Sequence, residues 1–159
     1  MTVPIPDSHR DLLQEPVHGV LTTMMPDGTP QSSIVWVDCD EEHVLINTTL
    51  ERQKGRNMRA NPKVTLLVID PRNSSRWIEV RGRVREMTSE GAEAHADKLT
   101  QRYSHPKQRF YGDVYPVEQK YKETRVIVRI EPIHISVDAI FKGASAGSDS
   151  SLKASISPL

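Results

Sequence analysis

The chain has 159 residues and carries 21 basic and 21 acidic side chains, so its formal net charge at pH 7 is zero. This length suits one domain, and the balanced charge with only 5% aromatic residues argues against a nucleic-acid binder. With one cysteine, no signal-peptide pattern and no apolar run near the roughly 20 residues of a membrane span, we expect a cytoplasmic protein with no membrane partner.

The hydrophobic pattern predicts a mainly β protein with a few helices. Short helices are expected from Ser8 to about Gln14, over 51–60 and over 89–103, each beginning at a capping residue or ending before a proline. Alternating or continuous apolar runs predict strands. These runs lie at 17–24, 31–37, 43–49, 63–69, 76–87 and, split by Pro132, at 125–130 and 133–137.

About six antiparallel strands joined by short turns indicate a barrel, because closure removes the exposed edges of such a sheet. We predict one barrel domain over residues 1–141 and a disordered polar tail over 142–159. Residues 104–122 are polar and irregular with scattered aromatic side chains, so they are expected to form a surface excursion that meets a partner subunit.

A basic segment follows the third predicted strand and gives the clearest indication of function. It has a local charge of +4 within a neutral chain, from Arg52, Lys54, Arg56, Arg59 and Lys63 against Glu51. The structural alternative is a solvated helix face whose charges pair with acids elsewhere. The functional alternative is a phosphate held by Lys54 and Arg52, the strand-end hydroxyls of Thr48 and Thr49, and the free amides of the helix.

Polar and aromatic side chains interrupt the second strand. Ser32 and Ser33 either face solvent or hydrogen-bond a planar heterocycle that lies along the barrel. Trp36 and Trp77 serve either as core and interface residues or as surfaces that stack on a cofactor.

The chain offers no obvious catalytic group of its own. Its six histidines lack a metal-ligand spacing, so no metal site is predicted, and there is no serine triad, P-loop or dinucleotide-binding glycine loop. Such a chain suits an enzyme in which a cofactor carries the chemistry, and equally a cofactor-binding or carrier protein without turnover. The catalytic residues stay unassigned.

The order of these motifs resembles the pyridoxamine 5′-phosphate oxidase-like split-barrel flavoproteins. Four stretches between Gly19 and Pro132 carry the resemblance: GVLTTMMPDGTPQSSIVWV, LINTTLERQKGRNMRANPKVTLLVIDP, RWIEVRGRVREM and RVIVRIEP. The branch that it resembles most is that of the deazaflavin-dependent enzymes, which use coenzyme F420. The resemblance implies an FMN-binding-type split barrel that forms a homodimer with its cofactor at the subunit interface.

The resemblance also implies positions for the cofactor. The phosphate is expected at Arg52, Lys54, Arg56 and Asn57, and Arg76 and Trp77 are expected to face the same site from the other subunit. The ring system is expected beside Thr48 along one strand segment, which consists of Ser32, Ser33, Ile34, Val35 and Trp36.

The sequence departs from true pyridoxamine phosphate oxidases, which typically have Ser-Arg-Lys where this chain has Arg52-Gln53-Lys54 and which carry a C-terminal Arg-Leu motif that is absent here. We therefore expect an oxidoreductase that transfers hydride between a flavin-type cofactor and a small organic substrate. F420 is favoured because its acidic tail would benefit from Arg56, Arg59 and Lys63, and FMN is the close alternative. A non-catalytic flavin-type binding or carrier protein is the alternative function.

Overall fold

A computed structural model describes residues 2–140, and the predicted tail from residue 142 lies outside them. Seven antiparallel strands form one sheet in the order β2-β1-β5-β6-β7-β4-β3. The strands are β1 (Gly19–Met24), β2 (Pro30–Val35), β3 (Val37–Cys39), β4 (Val44–Thr49), β5 (Lys63–Ile69), β6 (Trp77–Thr88) and β7 (Arg125–Val137). The predicted mainly β split barrel is therefore confirmed, with seven strands rather than about six.

The sheet curls because β2 and β3 lie at its two opposite ends and yet follow each other in the chain. Only Trp36 separates them: β2 pairs with β1, whereas β3 pairs with β4. The single strand predicted over 31–37 was wrong for this reason. Polar and apolar side chains keep alternating through Trp36, so the pattern does not reveal where the strand changes partner.

The interior of the curled sheet is filled by the inward-facing residues of every strand. Leu21, Leu66 and Val80 are almost completely buried on neighbouring strands, as are Ile46 and Val128. The other side chains of these strands point outward, which is the period of two that the sequence showed.

The last strand corrects a second prediction. Pro132 does not split it, because β7 runs unbroken from Arg125 to Val137 with a register shift opposite Gly82. The carbonyl of Pro132 accepts a hydrogen bond from Val3 N at 2.9 Å, so this edge of the proline faces the N-terminal segment. The missing amide hydrogen therefore removes no bond from the ladder with β6.

Three helices and one irregular segment surround the sheet. They are α1 (Asp11–Gln14), α2 (Gln53–Ala60), α3 (Ala92–Tyr103) and a covering segment, residues 104–124, that contains short helical turns at Phe110–Val114 and Val117–Tyr121. The covering segment packs Phe110 and Tyr111 against Ala96 of its own chain. None of the helices within residues 2–140 has the length and apolar character of a membrane span.

Candidate functional site

A cavity of about 190 Å³ opens where the β2–β3 junction, the ends of β4 and β7, α2, α3 and the covering segment meet. Most of its lining residues are apolar or aromatic, and three cationic side chains also reach it. The lining residues are Ile34, Val35, Trp36, Asn47, Arg52, Lys54, Ala96, Leu99, Phe110, Val114, Tyr115 and Arg125.

Helix α2 brings two of these cations to the cavity. Met58 anchors the helix in the barrel core, and Gly55 lies so close to the end of β4 that an added Cβ would be 2.0 Å from the Thr49 carbonyl oxygen. Glycine thus allows α2 to pack directly on the strand, although it lowers helix propensity. This packing places Arg52 and Lys54 at the start of the helix, beside the cavity.

Lys54 is partly buried and has an unusual environment for a cation. Its Nζ donates to Ser33 Oγ at 3.1 Å, which ties α2 to β2. Burial lowers the pKa of Lys54 below its ordinary value, and the neighbouring positive charge of Arg52 lowers it further. The site therefore destabilises the charge of Lys54 and favours an anion that would compensate it.

We define the cation cluster as Arg52, Lys54, Arg56, Arg59 and Lys63, and it lacks acidic partners in the described part of the chain. Within residues 2–140, none of these five side chains has a carboxylate oxygen within 4.0 Å. Arg56 instead donates to the Glu51 carbonyl and to Gln53 Oε1. This finding disfavours the alternative in which the basic helix pairs with acids elsewhere in the chain.

Aromatic side chains fix the shape of the opposite wall. Trp36 stacks on Tyr103 of α3 with ring centroids 5.3 Å apart and an interplanar angle of 11°. The Tyr103 hydroxyl accepts from Val37 N at 2.9 Å and donates to the Val17 carbonyl at 2.8 Å. Trp36 is thus held at the strand break, with part of its surface on the cavity.

The covering segment forms the remaining wall. Phe110 meets Trp36 edge to face, and Tyr115 packs on Phe110 with centroids 5.0 Å apart. The Tyr115 hydroxyl accepts a hydrogen bond from Arg52 at 2.9 Å, which links this segment to the start of α2. The scattered aromatic side chains in the sequence predicted a contact between this segment and a partner subunit. They did not indicate that the segment covers a cavity of its own subunit.

The structure brings some of the predicted site residues together. Ile34, Val35, Trp36, Arg52 and Lys54 line the cavity, and Ser33 contacts Lys54. Seven further lining residues were not predicted from the sequence: Asn47, Ala96, Leu99, Phe110, Val114, Tyr115 and Arg125. No short motif marked them, because they come from four separate elements that only the fold assembles.

Other predicted residues lie outside the cavity lining. Ser32 is exposed and exchanges a hydrogen bond with Thr22 Oγ1, and Arg56 lies on the exposed face of α2.

Thr48 is buried, and its Oγ1 has no hydrogen-bond partner in the described structure. The amide of the buried Asn57 binds Thr23 Oγ1 at 3.0 Å and Gln53 at 2.7 Å, so it packs α2 onto β1.

Arg76 and Trp77 lie at the beginning of β6, away from the cavity lining. The Arg76 guanidinium forms ion pairs with Asp11 at 2.5 Å and Asp70 at 3.2 Å. Trp77 is partly buried and is the register partner of the exposed Ile69, on the outer side of the sheet.

The described residues offer little else for catalysis. Burial raises the pKa of the Cys39 thiol, and the adjacent carboxylates of Asp38 and Asp40 contribute in the same direction, so Cys39 is a poor nucleophile. Between residues 2 and 140, no three His, Cys, Asp or Glu side chains are arranged to hold a metal ion.

Comparisons with known proteins agree with this architecture. The family model described as pyridoxamine 5′-phosphate oxidase matches residues 5–137. A pyridoxine/pyridoxamine 5′-phosphate oxidase of Rhodopseudomonas palustris is 29% identical over 124 residues, which are 74% of this chain and 55% of the relative. One from Azorhizobium caulinodans is 32% identical over 90 residues, 56% of this chain and 42% of the relative. The chain thus spans about half the length of these relatives.

Solved structures extend the comparison. A structure described as an F420 reductase is 38% identical, superposes with a TM-score of 0.71, and the match covers 83% of this chain and 98% of that one. A conserved hypothetical protein of Mycobacterium tuberculosis shares the fold at 22% identity, with a TM-score of 0.60 and coverage of 82% and 80%. With the matched family model and the curled seven-stranded sheet, these similarities show that the chain belongs to the pyridoxamine 5′-phosphate oxidase-like split-barrel family.

Proposed function

We propose that this protein is an oxidoreductase that binds a phosphate-bearing flavin-type cofactor, with F420 favoured over FMN, and reduces a small organic substrate. The observation that supports this most is the pair Arg52 and Lys54, which reaches the cavity without a carboxylate partner in the described part of the chain. The family to which the chain belongs and its similarity to an F420 reductase support the same function.

The start of α2 suits the cofactor phosphate. Arg52 and Lys54 supply two cations, and the first amides of the eight-residue helix have no partner within the helix, as at any helix start. An anion here would offset the burial and the repulsion from Arg52 that together lower the pKa of Lys54. We propose that Asn57 contributes indirectly, because its buried amide holds α2 in place.

The second strand suits the ring system. β2 lies at one end of the sheet and pairs only with β1 among the described strands, so its other edge presents backbone donors and acceptors. We propose that a flavin-type ring lies along Ser32–Trp36 and hydrogen-bonds this edge. When bound, the cofactor supplies hydride transfer, and the chain orients the ring and tunes its electronics.

The outer face of the sheet supports the proposal of a homodimer with the cofactor at its interface. Val20 is 38% exposed, and it lies between its register partners Ile34, which is 70% exposed, and Leu67. Ile69 and Trp77 extend this apolar face by one register pair. Contiguous exposed apolar surface of this kind is typical of an interaction site.

We propose that Trp77, but not the ion-paired Arg76, contacts the cofactor of the partner subunit.

The choice of F420 rests on the outer part of the cation cluster. Arg56 and Arg59 lie on the exposed face of α2, and Lys63 follows at the start of β5, all without carboxylate partners in the described residues. The deazaflavin carries an acidic tail, whereas FMN ends at its phosphate. Unneutralised cations beyond the phosphate position would therefore favour F420.

Fluorescence titration of the apo-protein with F420 and with FMN tests the proposal. We expect micromolar or tighter binding, stronger for F420 than for FMN. Weaker binding of both cofactors would contradict the proposed function.

A carrier protein without turnover is the second candidate, because the cavity lining formed by residues 2–140 contains no carboxylate or imidazole that could act as an acid or base. Steady reoxidation of the reduced cofactor by added carbonyl-type acceptors separates the two candidates. An enzyme accelerates that reoxidation above the rate of the free cofactor, and a carrier does not.

A further inference from the structure

Arg125 is a buried cation at the cavity, and the proposed cofactor contacts do not include it. It begins β7, its side chain is 8% exposed, and it lines the cavity. A buried guanidinium is costly unless it is paired and hydrogen-bonded, so its partners indicate what it is held for.

Three hydrogen-bond acceptors hold the guanidinium in place. Nε donates to the Tyr111 hydroxyl at 2.9 Å, one terminal nitrogen donates to Asn47 Oδ1 at 2.8 Å, and the other donates to Glu123 at 3.0 Å. The guanidinium carbon also lies 4.1 Å from the centre of the Phe110 ring. A guanidinium has five N–H groups, so two remain after these bonds, one on each terminal nitrogen.

The orientation of Asn47 is determined by its own neighbours. Its Nδ2 donates to the Ala92 carbonyl at 2.9 Å and lies 3.1 Å from His95 Nδ1, which leaves Oδ1 for Arg125. His95 Nδ1 must then accept, so the proton of the neutral ring is on Nε2, which is 3.0 Å from Asp38. Asp38 is itself held by Lys98 and Arg102. A buried chain of polar contacts thus positions Arg125.

The charge on Arg125 is only partly offset at the cavity. Burial alone would raise the pKa of Glu123, but hydrogen bonds from Tyr111 and Arg125 lower it below its ordinary value. Glu123 is therefore ionised beside the guanidinium. Among the described residues that line the cavity there is no carboxylate. The free N–H groups of Arg125 therefore suit an electron-rich oxygen of a ligand, whose carbon skeleton would meet the apolar wall of Trp36, Leu99 and Val114.

We propose that Arg125 is a catalytic residue that binds the carbonyl oxygen of the substrate, and that Asn47, His95 and Asp38 are positioning residues for it. This inference rests on the proposed function. The acceptor carbon gains a hydride from the reduced cofactor and its π bond breaks. The displaced electron pair goes to the carbonyl oxygen directly, or in an enone through the conjugated double bonds, and Arg125 stabilises that oxygen. A proton from solvent completes the reduction, and the cofactor is oxidised by two electrons.

Arg125→Ala tests the proposal, with Arg129→Ala as the matched control. Arg129 lies on the same strand, but it forms ion pairs with Asp40 and Glu86 and does not line the cavity. With 2-cyclohexen-1-one as the acceptor, we expect Arg125→Ala to lower kcat by roughly 100-fold, the effect of removing one preorganised donor. Added guanidinium ion should restore part of the rate in Arg125→Ala only.

Binding of benzoate provides a readout that does not depend on the cofactor or on turnover. Its carboxylate mimics the developing charge and its ring suits the apolar wall, so calorimetry should detect millimolar or tighter binding to the apo-protein. We expect Arg125→Ala to weaken this binding at least tenfold and Asn47→Ala to weaken it less. Lys54→Ala controls for binding at the cofactor site and should leave most of the benzoate affinity.

Unchanged benzoate affinity in Arg125→Ala, or no benzoate binding to the wild type, would overturn the proposal. If Arg125→Ala does not fold, Arg125→Lys decides in its place: it keeps the charge but loses the planar donor pair, so kcat and benzoate affinity should still fall. Failure to bind F420 and FMN would contradict the proposed function, while the benzoate result would still decide the role of Arg125.

Discussion

Two basic regions of this molecule behave in opposite ways. At Arg76, the carboxylates of Asp11 and Asp70 neutralise the guanidinium, and hydrogen bonding to Asp11 raises its pKa. At Lys54, burial and the neighbouring Arg52 lower the pKa, and no carboxylate lies within ion-pair distance among residues 2–140. The first cation is neutralised within the fold, whereas the second has no anionic partner among the described residues, and we propose that a bound anion supplies one. Positive charge alone therefore does not distinguish a proposed anion site from a structural ion pair, and the absence of a nearby carboxylate is the feature that separates Lys54 from Arg76.

Removing the Arg76 guanidinium should lower the free energy of unfolding and leave the affinity for the cofactor unchanged. Arg76→Met would leave Asp70, whose side chain is 6% exposed, without its best partner. We expect the free energy of unfolding to fall by roughly 3 kcal/mol, measured by urea denaturation. The exposed Arg72, which also pairs with Asp70, is the control, and Arg72→Ala should cost under about 1 kcal/mol. A weaker affinity for the cofactor in folded Arg76→Met would show that the two regions are not separate.

The contact between α2 and β4 should be the next most sensitive feature. Gly55→Ala would add a Cβ 2.0 Å from the backbone oxygen of Thr49, so the helix must move. We expect a loss of about 1–3 kcal/mol in unfolding free energy, although alanine is the better helix former. Because α2 carries Lys54, the affinity for the cofactor should fall as well. A more stable Gly55→Ala protein with normal affinity would contradict this account of the helix position.

Acid should weaken the polar contacts that Asp38 makes with His95, Lys98 and Arg102. Burial would raise the pKa of Asp38, but bonds from His95, Lys98 and Arg102 hold it well below its ordinary value of 3.8. A carboxylate with a lower pKa in the folded state contributes stability above its unfolded pKa and loses it as the pH falls toward the folded pKa. We therefore expect unfolding free energy to decrease by on the order of 1–3 kcal/mol below about pH 4. In Asp38→Asn, that part of the acid dependence should disappear.

The smallest expected effect concerns the choice of cofactor. Arg59 is exposed on α2 and has no carboxylate partner in the described residues, so it is free to contact an acidic tail. Arg59→Ala should weaken binding of F420 by about 0.5 kcal/mol, typical of an exposed ion pair, and leave binding of FMN unchanged. Raising the salt concentration should reduce the difference. Equal effects on both cofactors would argue against recognition of a tail at this position.

Much of the barrel was predictable from the sequence because burial on one face imposes a period of two on every strand. The partner change at Trp36 was not, since the alternation passes through it without interruption. The same holds for Pro132: the amino-acid pattern does not show that the proline edge faces Val3 rather than the sheet.

The candidate site was predictable only where its residues are close in sequence. Ile34, Val35, Trp36, Arg52 and Lys54 belong to two short stretches, and the cavity includes all five. In contrast, Asn47 and Arg125 are 78 residues apart and meet only because β4 pairs with β7. Phe110 and Tyr115 lie in a segment without periodicity, so no local pattern could place them.

We propose that Lys54 binds the phosphate of a flavin-type cofactor. The most direct test compares wild type and Lys54→Ala for binding of FMN and of riboflavin, which differs from FMN by that phosphate. We predict that the variant loses about 1.5–3 kcal/mol of affinity for FMN and almost none for riboflavin. Equal losses for both ligands, or no loss for FMN, would contradict the claim and return the cation cluster to a solvated helix face.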